Sequence, residues 1–279
     1  MSTHHRFAAF LAASLLAAAT PALAELMLFP TRIVLEKNQR AAQVELINQG
    51  RAPETYRISI VNRRMTRTGE IVAAEAPEPG EQFADQMLRY SPRQVTIAPG
   101  SSQTVRMLLR KPENLAPGEY RSHLQFDRVA DVAVGNTVEH PEGADGARIG
   151  VVITALVGAS IPVIVRQGDT KATVSVTELK LDPAAADAPP ALSFELRRDG
   201  TRSVYGDLGV TWTRRGGAPV EVGRAAGVAV YVPNPTRLVR MPLQLPAGTS
   251  LSGGTLRLTY RERADAGGAV LAESRLELP

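Results

Sequence analysis

The segment from Ile149 to Val165 reads IGVVITALVGASIPVIV, and it carries no charged residue over 17 positions. It is bounded by Arg148 and Arg166. Every odd position is apolar: Ile149, Val151, Ile153, Ala155, Val157, Ala159, Ile161, Val163 and Val165. The even positions include Gly150, Thr154, Gly158, Ser160 and Pro162. A period of two places the odd side chains on one face of an extended strand. At ~3.3 Å per residue the run reaches roughly 55 Å, about three ordinary strands end to end. One immunoglobulin-sized sheet cannot cover such a strand along its whole length. Either it bends between two domains, or part of its edge is left for another protein, because an open apolar edge invites strand addition. A membrane-spanning helix needs about 20 apolar residues. A buried helix is disfavoured by the β-branched content and by Pro162. An ordinary core strand is the competing reading.

Residues 1–24 read as an export signal. Arg6 and two histidines precede the apolar run Phe7 to Ala19, and Ala22-Leu23-Ala24 places small residues before an expected cleavage after Ala24. No second segment is a convincing membrane span, so no membrane insertion is expected. The 32 basic and 28 acidic residues leave a net charge of +4 with no basic block, which argues against nucleic acid as a partner. With no cysteine, disulfides and thiolate metal sites are excluded. The chain beyond the signal is long for one immunoglobulin-like sandwich and natural for two.

Short strands separated by turn residues are predicted at 26–36, 41–48, 54–62, 87–90, 93–98, 103–110 and 119–127, then the long run at 148–166. Val44 and Leu46 alternate with Gln43 and Glu45, while Val105, Met107 and Leu109 share another face. Asn48-Gln49-Gly50, Ala98-Pro99-Gly100 and Ala116-Pro117-Gly118 supply turn chemistry. Tyr120, opening a late strand after a Pro-Gly turn, resembles the tyrosine corner of Greek-key sandwiches. Residues 129–147 read as a long loop. After a break near Gln167-Gly168-Asp169-Thr170, a second set is predicted at 172–181, 191–198, 204–214, 219–222, 226–232, 239–245, 254–261 and 270–278. Trp212 reads as a core filler of this second set.

Enzyme signatures are absent: no His-Glu-x-x-His, no Gly-x-Ser-x-Gly and no phosphate-cradling glycine loop. Ser122 and His123 are strand neighbours, so their side chains point to opposite faces and cannot form a nucleophile–base pair. His140 near Glu142 and Asp145 reads as a solvated loop rather than a metal site. No catalytic residue, metal or cofactor is expected. Arg32 is a cation within Leu28-Phe29-Pro30-Thr31-Arg32-Ile33-Val34-Leu35. It is either an edge arginine with its head in water or an anchor for an incoming carboxylate.

Several motifs together resemble the periplasmic pilus-assembly chaperones of the chaperone–usher pathway. They are Pro30-Thr31-Arg32, then Val44-Glu45-Leu46-Ile47-Asn48-Gln49-Gly50, then Tyr90 to Arg106 with its Pro92…Pro99-Gly100…Gln103-Thr104-Val105-Arg106 pattern. Gly118-Glu119-Tyr120-Arg121-Ser122 and the long strand complete the set. The resemblance covers residues 25–166 and reaches the second domain mainly in architecture. It implies an all-β protein of two immunoglobulin-like β-sandwich domains in a boomerang arrangement, 25–166 and 167–279, in the periplasm and without enzymatic activity. It also implies donor-strand complementation, in which Ile149, Val151, Ile153, Ala155 and Val157 fill the open groove of a pilus or fimbrial subunit. Arg32 would hold that subunit's terminal carboxylate, Arg166 would sit at the interdomain hinge, and an outer-membrane usher would receive the subunit.

Two positions depart from the family pattern. Pro162 stands where a lysine is usual, and no lysine occurs from 112 to 170. The acid that usually pairs with the hinge arginine is aligned with Arg121. A surface or fibre adhesive sandwich is the alternative reading. It would want a detachable N-terminal donor extension, whereas only Glu25 to Phe29 precede Pro30. A secreted hydrolase or carbohydrate-binding module would want acid pairs or exposed aromatics, and aromatics are 5% of residues.

Overall fold

The computed structural model describes residues 26–129, 158–185, 188–246 and 251–279. The first half of the chain contributes β1 (Leu26–Phe29), β2 (Ile33–Leu35), β3 (Ala41–Asn48), β4 (Glu54–Val61), β5 (Arg63–Met65), β6 (Ile71–Ala73), β7 (Leu88–Ser91), β8 (Gln94–Ile97), β9 (Ser102–Leu109), β10 (Gly118–Arg128) and β11 (Gly158–Gln167). Two sheets, in the orders β1-β3-β9-β7 and β2-β11-β10-β4-β8, enclose one core, and β5 and β6 form a separate hairpin. The second half contributes β12 (Ala172–Asp182), β13 (Ala191–Gly200), β14 (Val204–Thr213), β15 (Pro219–Val230), β16 (Thr236–Pro242), β17 (Gly254–Glu262) and β18 (Val270–Leu278). Its sheets run β12-β13-β16 and β15-β14-β17-β18 around a second core. The protein is all-β, two immunoglobulin-like sandwiches in sequence.

Alternation fixes which side chains enter each core. Val44 and Leu46 on β3 are fully buried and lie beside the buried Val105 and Met107 of β9, whose Arg106 and Leu108 point outward. Asn48 ends β3 with no exposure. Its amide donates to the carbonyls of Ala52 and Ile97 at 2.8 Å each, and its Oδ1 accepts from Gly50 N, so one side chain closes the turn and ties it to β8. In the second core Trp212 is buried, and its Nε1 donates to Gly253 O at 3.1 Å.

The predicted strand at 26–36 is two strands in different sheets. Pro30 has no N–H to give a ladder, and the chain crosses there from the first sheet to the second. The predicted strands at 219–222 and 226–232 are one strand, β15, whose register against β14 shifts twice. The hairpin β5–β6 has no counterpart among the predicted strands, because Arg63-Arg64-Met65 and Ile71-Val72-Ala73 are each three residues long. It docks on the second sandwich. Met65 enters the second core, Asn234 Nδ2 donates to Met65 O at 2.7 Å, and Leu238 N donates to Arg67 O at 2.8 Å.

Strand β10 has both faces covered. Tyr120, Leu124 and Phe126 enter the first core, while Glu119, Arg121, His123 and Gln125 are buried on the opposite face. Phe126 has no exposure, and truncating it to Ala would cost about 3–5 kcal/mol. The Tyr120 hydroxyl donates to Ala116 O at 3.0 Å, the backward bond that defines a tyrosine corner. Strand β11 pairs antiparallel with β10 from Gly158 to Gln167 and parallel with β2 across Val163–Val165 only. Its odd residues Ile161, Val163 and Val165 sit in the first core, and its even residue Ile164 joins the second. From Gly158 to Pro162 its outer edge has no strand partner among the described residues.

Candidate functional site

Arg32 lies in the Pro30–Arg32 link between β1 and β2, at a cavity of about 990 Å³ between the two sandwiches. Phe29, Arg166, Tyr205, Arg263 and Val270 share the lining. Its guanidinium lies 4.3 Å from the centre of the Tyr205 ring and 5.9 Å from that of Tyr231, both contributed by the second sandwich. Its Nε is buried without a hydrogen-bond partner, and no carboxylate pairs with it among the described residues. Burial pulls its pKa below the ordinary arginine value, opposed by Tyr231 and Glu119, yet an arginine stays charged in any protein. A half-buried cation without an acid is an anion receptor in electrostatic terms.

Arg121 reaches the same joint from β10. It is 6% exposed, and its guanidinium lies 4.2 Å from the centre of the Tyr231 ring. Arg32 thus lies against Tyr205 and near Tyr231, and Arg121 lies against Tyr231, so the two cations share one ring. His123, two residues along the same face of β10, is pushed down to about 3 by burial and then by the charges of Arg121 and Arg63. Its Nδ1 has no partner. Ser122 lies on the opposite face, where its hydroxyl donates to Asn62 Oδ1 at 2.7 Å and accepts from Ala84 N. Ser122 and His123 do not meet.

Arg166 is paired. Its Nε donates to Glu119 at 3.1 Å and its Nη1 to Glu36 at 3.0 Å. Glu119 also accepts from the backbone N of Ser203 at 3.1 Å and from the Ser203 hydroxyl, crossing to the second sandwich. The expectation that Arg121 takes the place of the hinge arginine's acid is therefore corrected. Glu119, two residues earlier on the same face of β10, supplies the carboxylate, because the antiparallel register sets it directly across from Arg166. Pro162 does occupy the strand position across from His123, one residue before the Val163–Ile33 pair. Lys111 is tied elsewhere, donating to Arg166 O at 2.9 Å and Gln167 Oε1 at 3.0 Å.

Ile149, Val151, Ile153, Ala155 and Val157 lie outside the described residues, as do His140, Glu142, Asp145 and the signal segment. Among the described residues no group of three or more His, Asp or Glu side chains could hold a metal, and no helix is long and apolar enough to cross a membrane. The sequence singles out Arg32 but not its tyrosine neighbours, and it marks Arg121 only as a departure at the place of the hinge arginine's acid. The Val230-Tyr231-Val232-Pro233 and Val204-Tyr205-Gly206-Asp207 motifs are visible as strand patterns, but nothing in them shows which residue of another domain lies against the rings.

No protein-family model matches the sequence, and no curated protein matches it. Among solved structures the chain is similar to the CsuC–CsuE chaperone–tip adhesion subunit pre-assembly complex of Acinetobacter baumannii, at 12% identity and a TM-score of 0.44, covering 91% of this chain and 98% of that one. It is similar to the CupB2 chaperone of Pseudomonas aeruginosa, at 12% identity and a TM-score of 0.42, covering 90% and 99%. It is also similar to the Salmonella enterica SafA pilin in complex with the SafB chaperone, at 14% identity and a TM-score of 0.42, covering 93% and 99%.

Proposed function

We propose that this chain is a periplasmic chaperone that holds a pilus or fimbrial subunit by lending it a strand and delivers it to an outer-membrane usher. The observation that carries the reading is Arg32: a cation at a cavity between two sandwiches, stacked on Tyr205 and lacking an acid. A polypeptide C-terminus is the matching ligand, since a planar guanidinium binds both carboxylate oxygens. The sequence supplies the other half. The apolar alternation of β11 continues upstream through Val157, Ala155, Ile153, Val151 and Ile149, the residues assigned to the subunit's groove. Where β11 is described, its outer edge is open from Gly158 to Pro162, on the side from which a subunit strand would add. Each well-buried aliphatic side chain of that run contributes roughly 1.5–3 kcal/mol before ordering costs.

The test is co-expression with a candidate pilus subunit, a small exported β-rich protein, then co-purification. The wild type should retain the partner, and Ile153→Asp should lose it while melting as the wild type does. Retention by Ile153→Asp would remove the donor-strand reading, and so would failure of that variant to fold, which would make the run an internal core strand.

A further inference from the structure

Arg121 is the most anomalous polar group in the joint. It is 6% exposed, and neither its Nε nor its Nη1 has a hydrogen-bond partner. Its one side-chain bond is a long one, 3.3 Å from Nη2 to Arg63 O. Two acids are close enough to act on it, and both are committed elsewhere: Glu119 to Arg166 and Ser203, Glu81 to Arg64. A buried cation without an acid is costly, and the face of Tyr231 offsets only part of the loss. Arg32, 5.9 Å from the centre of the same ring, also lowers the pKa of Arg121 by repulsion, after burial itself. Chains seldom keep such a group where a neutral side chain of the same length would pack. Of the acids that line the cavity, Glu36 pairs with Arg166 and Asp265 with Arg263, so Arg32 and, behind the lining, Arg121 are left with N–H groups that a bound anion would offset.

We propose that Arg121 is the second cation of the anion site at Arg32, a positioning residue that acts through its charge and its contact with Tyr231 rather than by touching the ligand. This rests on the reading of Arg32 as a carboxylate anchor. Arg121 has two roles in this arrangement. Its charge attracts the carboxylate through a low-dielectric wall, and its stacking holds Tyr231 against Arg32. On β11, Pro162 stands one residue before Val163, the partner of Ile33, and carries no charge, while Arg166, the β11 cation at the cavity, is paired with Glu119 and Glu36, so the unpaired second cation comes from the next strand, β10.

The experiment uses a soluble strand peptide of alternating valine and threonine, made with a free C-terminal carboxylate and as its carboxamide. Binding to the intact protein is measured for the wild type, Arg32→Gln, Arg121→Met and Arg121→Lys, with melting recorded for each. The wild type should prefer the carboxylate. Arg121→Met should lose about tenfold of that preference, by removing one charge from the wall, and should bind the carboxamide unchanged. It should also melt no lower than the wild type, since an unpaired cation leaves the interior. Arg121→Lys should keep most of the preference, and added salt should erode it less in Arg121→Met than in the wild type. Equal loss for both peptides in Arg121→Met, or no loss, overturns the role of Arg121 while leaving Arg32 standing. If Arg121→Met does not fold, an unselective Arg121→Lys overturns it instead. A wild type or Arg32→Gln protein indifferent to the carboxylate overturns the anchor reading itself.

Discussion

Two groups of charges meet at the joint between the sandwiches, and they are built in opposite ways. In one, Arg166 is bound by Glu119 and Glu36, and Glu119 is bound in turn by Ser203, so every charge has a partner within the chain. In the other, Arg32 and Arg121 both lie near the Tyr231 ring and carry buried N–H groups that have none. Both draw on the same face of β10, where Glu119 and Arg121 are two residues apart. The closed group has what it needs to hold the two sandwiches together. On the proposed reading the open group costs stability in the free protein and gains from an added anion. Closure marks structure here, and the open group is what the proposed anion site rests on.

Breaking the closed group should give the largest effect. Glu119 has a side chain 1% exposed, and Glu119→Ala leaves Arg166 without its buried acid and Ser203 without its acceptor. A loss of about 3–5 kcal/mol is expected in urea denaturation. A loss below about 1 kcal/mol would mean that Glu36 alone satisfies Arg166, and the contrast between the groups would weaken. Breaking the open group should move binding instead. Arg32→Ala should weaken partner capture by ~100-fold, about 3 kcal/mol, with melting unchanged or slightly higher. A melting temperature that falls as far as that of Glu119→Ala would place Arg32 in the closed group.

Acid sharpens the comparison, because His123 senses the open group. Its folded pKa of about 3 lies below the ordinary 6.5, through burial and then the charges of Arg121 and Arg63. As pH falls below 6.5 the unfolded chain takes up a proton that the native chain refuses, so stability is lost on acidification. Between pH 6.5 and pH 5 that loss should approach about 2 kcal/mol. The lowered carboxylates Glu81 and Glu195, held down mainly by hydrogen bonds from Arg64 and Arg67, withdraw their contributions only as pH falls through and below the carboxylate range. His123→Asn should flatten the upper part of the curve. Arg121→Met should flatten it less, by removing one repulsion. A slope that survives His123→Asn would place its origin elsewhere.

The two groups also differ in how far the sequence reveals them. Strand faces are legible because burial imposes a period of two, as at Val44 with Leu46 and Val105 with Met107. Arg32 stands out as a cation among apolar neighbours. The sequence pattern sets Arg121 in the place of Arg166's acid, two residues from the true partner Glu119. Either residue of that face could meet Arg166, and only the register of β10 against β11 decides. The break at Pro30 moves a strand from one sheet to another without changing its hydrophobic pattern. The hairpin β5–β6 and the rings of Tyr205 and Tyr231 act across the domain joint, and no local periodicity encodes a contact between distant segments.

The smallest effect calibrates the others. Tyr120 stands on β10 between Glu119 and Arg121, facing the first core, and its hydroxyl has one partner, Ala116 O. It is a satisfied polar group beside an unsatisfied one on the same strand. Tyr120→Phe keeps the ring and removes the hydroxyl, so it should cost about 1 kcal/mol, the usual net value of one hydrogen bond. Arg121→Met removes a larger polar group and should cost nothing or stabilise. The two variants would be compared by urea denaturation under identical conditions. If Arg121→Met proved as costly as Tyr120→Phe or more so, the stacking on Tyr231 would already compensate the buried charge. The open group would then be closed by its own aromatic rings, and the stability argument for an absent anion would fail even if Arg32 still bound one.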